Sequence, residues 1–182
     1  MFLLGIFAVR SSFADHYYVP SGSMEYTLMS GDRVLVNKAA YGLRIPFTDI
    51  KLTAGVSVDR GHVVIFDSPG DGTRLIKRIV GVGGDTISLF DGRLSVNGES
   101  LARSFGSVEY FDARVAPLNL EDGGGPDIDQ LLIPAGMVLA VGDHRGSSLD
   151  GRYFGLVPAS DVYGKALAVY RRQDEGFVWR PL

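Results

Sequence analysis

The chain has 182 residues, of which 46% are hydrophobic and 21% charged; that is the composition of one globular domain with a proper core, and it excludes disorder for the bulk of the chain. Its formal net charge is −3 and no block of Lys and Arg stands out, so the sequence lacks the electrostatic footprint of a nucleic-acid binder. There is no cysteine, which removes disulfides, thiolate metal sites and cysteine nucleophiles but leaves the compartment open, because exported proteins can also lack cysteine.

Residues 2–9 (FLLGIFAV) form an unbroken apolar run that Arg10 ends. The run is too short to cross a bilayer, which takes about 20 residues, and no basic region precedes it as in a signal peptide. It reads as the end of a membrane anchor, a short membrane-associated helix or an ordinary buried helix. From about residue 32 the pattern becomes strand-like, with short runs of Val, Ile and Leu separated by Gly, Pro and Asp. Strands are predicted over 33–38 (RVLVNK), 62–66 (HVVIF) and 74–81 (RLIKRIVG). Residues 86–90 and 93–96 flank Asp91-Gly92, a strong signal for a two-residue hairpin. Strands at 137–141 (MVLAV) and 162–171 follow. The stretch over 98–130 is more polar, contains Gly123-Gly124-Gly125-Pro126 and is expected to be a loop-rich insertion. Helical periodicity is scarce after residue 20, so the expected fold is mostly β, with antiparallel pairing in a sheet or barrel-like domain.

Three clusters bear chemistry. In Pro20-Ser21-Gly22-Ser23-Met24, Pro20 biases Val19 toward extended backbone and Gly22 permits a sharp turn before Ser23. A serine on such a turn can be presented in a cleft beside free backbone N–H groups; the same tripeptide also occurs in plain loops. A serine nucleophile needs a base. His144 follows Asp143 directly, and neighbours in extended chain point to opposite sides, so Asp143 is badly placed to orient it. His62 opens an apolar strand and reads as a strand-edge residue, and His16 reads as solvated. Lysine suits the task better. A period of two puts Leu75, Lys77 and Ile79 on one strand face and Ile76, Arg78 and Val80 on the other. An ammonium among aliphatic side chains is desolvated, its pKa falls, and it becomes a general base; the alternative is a lysine snorkelling out of a strand edge. The third cluster runs from Gly142 to Arg152 (GDHRGSSLDGR). Asp143, Arg145, Asp150 and Arg152 can form an ion-pair network there, and Ser147 or Ser148 can donate to a neutral lysine amine. The plain alternative is a polar turn with weak surface pairs.

Taken together, the clusters resemble the three ordered boxes of the type I signal peptidases, the S26 family. The serine box, close to P-S-G-S-M-x-P-T-L-x-x-G-D, reads PSGSMEYTLMSGD at 20–32. The lysine box, K-R-[IV]-[IV]-G-x-x-G-D, reads KRIVGVGGD at 77–85. The last, G-D-N-R-x-x-S-x-D-S-R-x-x-G-x-V-P, reads GDHRGSSLDGRYFGLVP at 142–158. The resemblance covers residues 2 to about 170. It implies Ser23 as nucleophile, Lys77 as base, an oxyanion hole from the Ser21 hydroxyl and the Ser23 N–H, and Ser148 as the group that orients the lysine. Arg78, Asp143, Arg145, Asp150 and Arg152 fall on structural ion-pair positions. The lysine argues against the archaeal and endoplasmic-reticulum branch, where a histidine stands in its place. The implied activity is cleavage of signal peptides from exported preproteins after small residues of the A-x-A type, with the peptide bound as an extended strand and no metal or organic cofactor. The implied location is the bacterial cytoplasmic membrane, with the catalytic domain on the outer, periplasmic side and the lipid surface beside it. Residues 1–15 then correspond to part of a membrane anchor whose start is missing, and 16–182 to the peptidase domain.

The sequence departs from the pattern at several points. Tyr26 replaces a proline and is expected to loosen the backbone near the serine. His144 replaces asparagine, Gly146 and Ser147 replace an Asp-Asn pair, and Gly151 replaces serine. A specialised peptidase for one substrate, such as a pilin or a conjugation protein, is kept open by Tyr26. A self-cleaving repressor-type protease would carry a DNA-binding domain, which is not visible, and an inactive β binding module has no reason to keep Ser23, Lys77 and Ser148.

Overall fold

A computed structural model describes residues 14–42, 56–103 and 106–182. The apolar run at 2–9 and most of the expected anchor segment lie outside the described residues. No helix among the described residues is long and apolar enough to cross a membrane.

The described chain is built from strands: β1 (Ala14–Tyr18), β2 (Arg33–Asn37), β3 (Val63–Asp67), β4 (Arg74–Val82), β5 (Thr86–Phe90), β6 (Arg93–Val96) and β7 (Glu99–Ser100). They continue with β8 (Val108–Phe111), β9 (Arg114–Pro117), β10 (Ile128–Leu132), β11 (Met137–Val141), β12 (Val157–Pro158), β13 (Gly164–Arg172) and β14 (Gly176–Pro181). Two short helical turns, Gly151–Phe154 and the 3-10 turn Ala159–Asp161, interrupt them. The larger sheet has the order β1-β2-β13-β3-β4-β11-β12, with β14 also paired to β13. A second sheet runs β10-β5-β6-β7, and β8 pairs with β9. The pairings between strands are antiparallel, so the mostly β, antiparallel expectation holds.

Local chemistry accounts for the parts that place the site. β5 and β6 join through Asp91 (φ 47) and Gly92 (φ 74), the left-handed pair that matches the twist of a two-residue hairpin. β4 is a central strand between β3 and β11, and its two faces feed different cores. Leu75 and Ile79 pack with Val64, Phe66, Val138 and Val157, whereas Val80 joins Ile87, Leu89, Leu94 and Val141. This is the expected period of two on a strand buried on both faces. The serine and lysine boxes end in one and the same turn. Met29 N–H donates to Asp32 Oδ2 at 2.9 Å and Val82 N–H to Asp85 Oδ2 at 3.0 Å. Each aspartate thereby satisfies a backbone donor three residues upstream and aims the chain into its next strand.

The stretch over 98–130 is less loop-like than expected. Its first half folds as the β8–β9 hairpin and its end begins β10. Phe111, Ala116 and Leu118 enter the core shared with β5 and β6, so apolar burial organises the segment. The sequence also gave no signal for β1 and β14, which are edge strands of polar and aromatic composition (ADHYY and GFVWRP).

Candidate active site

Ser23 sits on a turn after β1. Leu28 N–H donates to Met24 O at 2.8 Å, and Met24 and Leu28 are both fully buried in the core beneath, with Val34, Val36 and Ile65. Burying two such side chains contributes about 4 kcal/mol. The turn is thus anchored from below, and the preceding Ser21, Gly22 and Ser23 form its rim. The same three residues line an open cleft of about 450 Å³ together with Glu25, Leu75, Lys77, His144, Ser147 and Leu149.

Lys77 reaches this cleft from β4, with 3% of its surface exposed. Its Nζ lies 2.6 Å from Ser23 Oγ. Burial pushes its ammonium down from the ordinary 10.5 to about 8, against the pull of Asp150 and Asp143. An amine next to a hydroxyl and neutral just above physiological pH can remove the hydroxyl proton. The Ser21 hydroxyl lies 3.5 Å from Ser23 Oγ, and the Ser23 N–H donates to no group among the described residues. The first is a long hydrogen bond within the cleft and the second an unused donor.

Ser148 is buried close by, beside the Asp150 carboxylate, but its hydroxyl makes no hydrogen bond to Lys77. The lysine-orienting contact expected from the sequence is not formed. Gly142 explains how the site closes up here. A Cβ at position 142 would stand 2.2 Å from Ser148 Oγ and 2.4 Å from the Ser23 carbonyl oxygen, so only glycine lets the three segments meet.

The charged residues of the boxes form buried pairs around the dyad. Arg78 Nη2 lies 2.8 Å from Asp143 Oδ2 and its Nε 2.9 Å from Asp143 Oδ1, while Thr27 Oγ1 donates to the same carboxylate at 2.5 Å. Arg152 binds Asp150 through Nε and Nη2, each at 2.8 Å. Asp150 also accepts from Gly142 N–H at 2.9 Å and caps the helical turn that follows. Arg145 takes a different partner from any the sequence suggested. It forks onto Glu109 of β8, at 3.0 and 2.7 Å, with both side chains fully buried. Glu109 lay in the supposed insertion and carried no local signal. Arg145 also donates to the Gly92 and Gly142 carbonyls. One guanidinium thereby ties both hairpins to the third box, with its charge compensated as burial demands.

The histidines divide as the strand geometry requires. Asp143 faces Arg78, and His144 faces Asp122 at 2.8 Å, so the two do not pair. His16 is exposed and stacks edge-on against Tyr170. His62 stands directly before β3 and is buried, 3.0 Å from the Tyr41 hydroxyl and 2.8 Å from Lys165 Nζ. Tyr26 forms a β-bridge with Leu118 and its hydroxyl donates to Glu121 at 2.5 Å. Among the described residues no group of three or more His, Asp and Glu side chains converges as a metal site would.

The profile of the family described as signal peptidase, peptidase S26, matches residues 1–171. Signal peptidase I of Pseudomonas fluorescens is 35% identical over 197 residues, which cover 93% of this chain and 69% of that protein. Signal peptidase I of Pseudomonas aeruginosa is 35% identical over 191 residues, covering 91% and 67%. The chain thus spans about two thirds of the length of these relatives. A crystal structure of a signal peptidase I from Enterococcus faecalis is 27% identical, with a TM-score of 0.45 over 68% of this chain and 97% of that one.

Proposed function

The chain belongs to the signal peptidase family, peptidase S26, and on that premise we propose that it is a serine endopeptidase that removes signal peptides from preproteins, with Ser23 as nucleophile and Lys77 as general base. The observation that carries the assignment is the 2.6 Å approach of a buried lysine amine to a cleft serine hydroxyl. Neutral Lys77 takes the Ser23 proton as Oγ attacks the scissile carbonyl. The oxyanion rests on the Ser23 N–H and the Ser21 hydroxyl, which are preorganised donors at the place where charge develops. Protonated Lys77 then returns its proton to the leaving amine as the C–N bond breaks. Water, activated by the same lysine, hydrolyses the acyl-enzyme and frees the signal peptide.

The substrate enters extended, as a strand beside the site, and small residues at the first and third positions before the cut suit an open, shallow cleft. We place the protein at the bacterial cytoplasmic membrane with the catalytic domain on the outer side, where signal peptides and the lipid surface meet it. A preprotein series with each of these two positions changed from Ala to Leu or Phe tests the substrate assignment. Cleavage confined to the small-residue forms is expected; equal cleavage of the Phe forms contradicts it.

A further inference from the structure

His144 lies in the wall of the same cleft, 8% exposed, and the mechanism above leaves it unused. Its backbone N–H donates to the Ser23 carbonyl at 3.2 Å. Its ring Nδ1 lies 3.3 Å from the Gly22 carbonyl oxygen and 3.5 Å from Glu25 Oε2. Nε2 lies 2.8 Å from Asp122 Oδ2. One residue therefore grips the carbonyls on both sides of the Ser23 α-carbon and ties them to the 119–122 segment. That segment is fixed in turn: Asn119 N–H donates to Asp143 O, and Arg145 N–H donates to Asn119 O, each at 3.0 Å.

The Gly22 carbonyl belongs to the same peptide unit as the Ser23 N–H. A peptide unit is planar, so a bond that fixes its oxygen fixes the direction of its N–H on the opposite side. A hydrogen bond to the carbonyl also polarises the unit and strengthens the N–H as a donor. We infer that His144 is a positioning residue that aims the Ser23 N–H at the oxyanion, acting through the Gly22 carbonyl. The inference rests on the assignment of Ser23 and its N–H made above. Both ring nitrogens face oxygen acceptors, the Gly22 carbonyl at Nδ1 and the Asp122 carboxylate at Nε2, so the ring is held from both sides. The ionisable groups facing the ring are Glu25 and Asp122, with Lys77 in the same cleft; Asp143 points away to Arg78.

The test is steady-state cleavage of an A-x-A preprotein by the wild type, His144→Ala, His144→Asn and Ser23→Ala, with thermal unfolding recorded for each. Asparagine puts an N–H where the ring has Nδ1 and leaves nothing to meet Asp122. In His144→Ala, kcat is expected to fall about ten-fold, the scale of a misaimed oxyanion donor, with KM within about two-fold. His144→Asn is expected to restore most of kcat. Wild-type kcat in His144→Ala, a loss carried by KM alone, or no recovery of kcat in His144→Asn would each overturn the inference while the Ser23 assignment stands. Cleavage that survives in Ser23→Ala would overturn both. Should His144→Ala fail to fold, His144→Asn decides: kcat within about two-fold of the wild type supports the inference, and a roughly ten-fold loss of kcat in the folded variant overturns it.

Discussion

If Lys77 is the general base, the rate of cleavage must follow its loss of a proton, and the structure sets where that happens. Burial brings the amine to about 8. The neutral fraction is then about 1% at pH 6, about 10% at pH 7 and about half at pH 8, so kcat should climb nearly a hundred-fold along an acid limb centred near pH 8. Single-turnover cleavage of an A-x-A peptide at saturating enzyme reads that limb directly. A rate flat across the range, or a limb at the ordinary lysine value of 10.5, would refute the assignment. The same shift carries a stability signature whose sign is fixed. The folded state holds the lysine proton more weakly than the unfolded state, so stability rises with pH between about 8 and 10.5. Below that window the buried charge costs about 3 kcal/mol. Lys77→Met should therefore be inactive yet more stable than the wild type at pH 7, with the gain vanishing above about pH 10.5. Denaturant unfolding at pH 7 and pH 10.5 measures it, and equal stabilities at pH 7 would show that burial does not hold the proton off.

Gly142→Ala places a methyl against Ser148 Oγ and the Ser23 carbonyl; cleavage should drop about ten-fold or more, since small misplacements of a nucleophile are costly, and the circular dichroism spectrum should not change. Asp143→Asn leaves the buried Arg78 guanidinium without its counter-charge and should destabilise the fold by about 3–5 kcal/mol in denaturant unfolding. Glu109→Gln strands Arg145 in the same way, with a loss of about the same size, while replacing both by apolar residues should cost much less. Similar losses for the single and double replacements at 109 and 145 would argue that packing, not charge compensation, governs that pair.

The parts of the fold that were legible in the sequence are those whose pattern is local. The Asp91-Gly92 pair marked the β5–β6 hairpin at its observed boundaries, and the alternation in 74–81 separated Lys77 from Arg78 as the two cores of β4 require. Ser23 and Lys77 were singled out by their motifs, and the fold brings them into contact across 54 residues. The parts that were not legible depend on partners far along the chain. Glu109 is an ordinary acidic residue until Arg145, 36 residues on, arrives beside it. The burial of His62 depends on Tyr41 and Lys165. The strands β1 and β14 gain their pairing from β2 and β13 rather than from any alternation of their own. Ser148 shows the converse: its position in the motif pointed at the lysine, whereas its buried hydroxyl makes no hydrogen bond to Lys77.

The central claim, that Ser23 and Lys77 together cleave a signal peptide, is tested most directly by incubating an A-x-A preprotein in detergent micelles with the wild type, Ser23→Ala and Lys77→Ala and identifying the products by mass spectrometry. The account predicts one cut, immediately after the small residue, made by the wild type and by neither variant. A cut at that position made by either folded variant would contradict it.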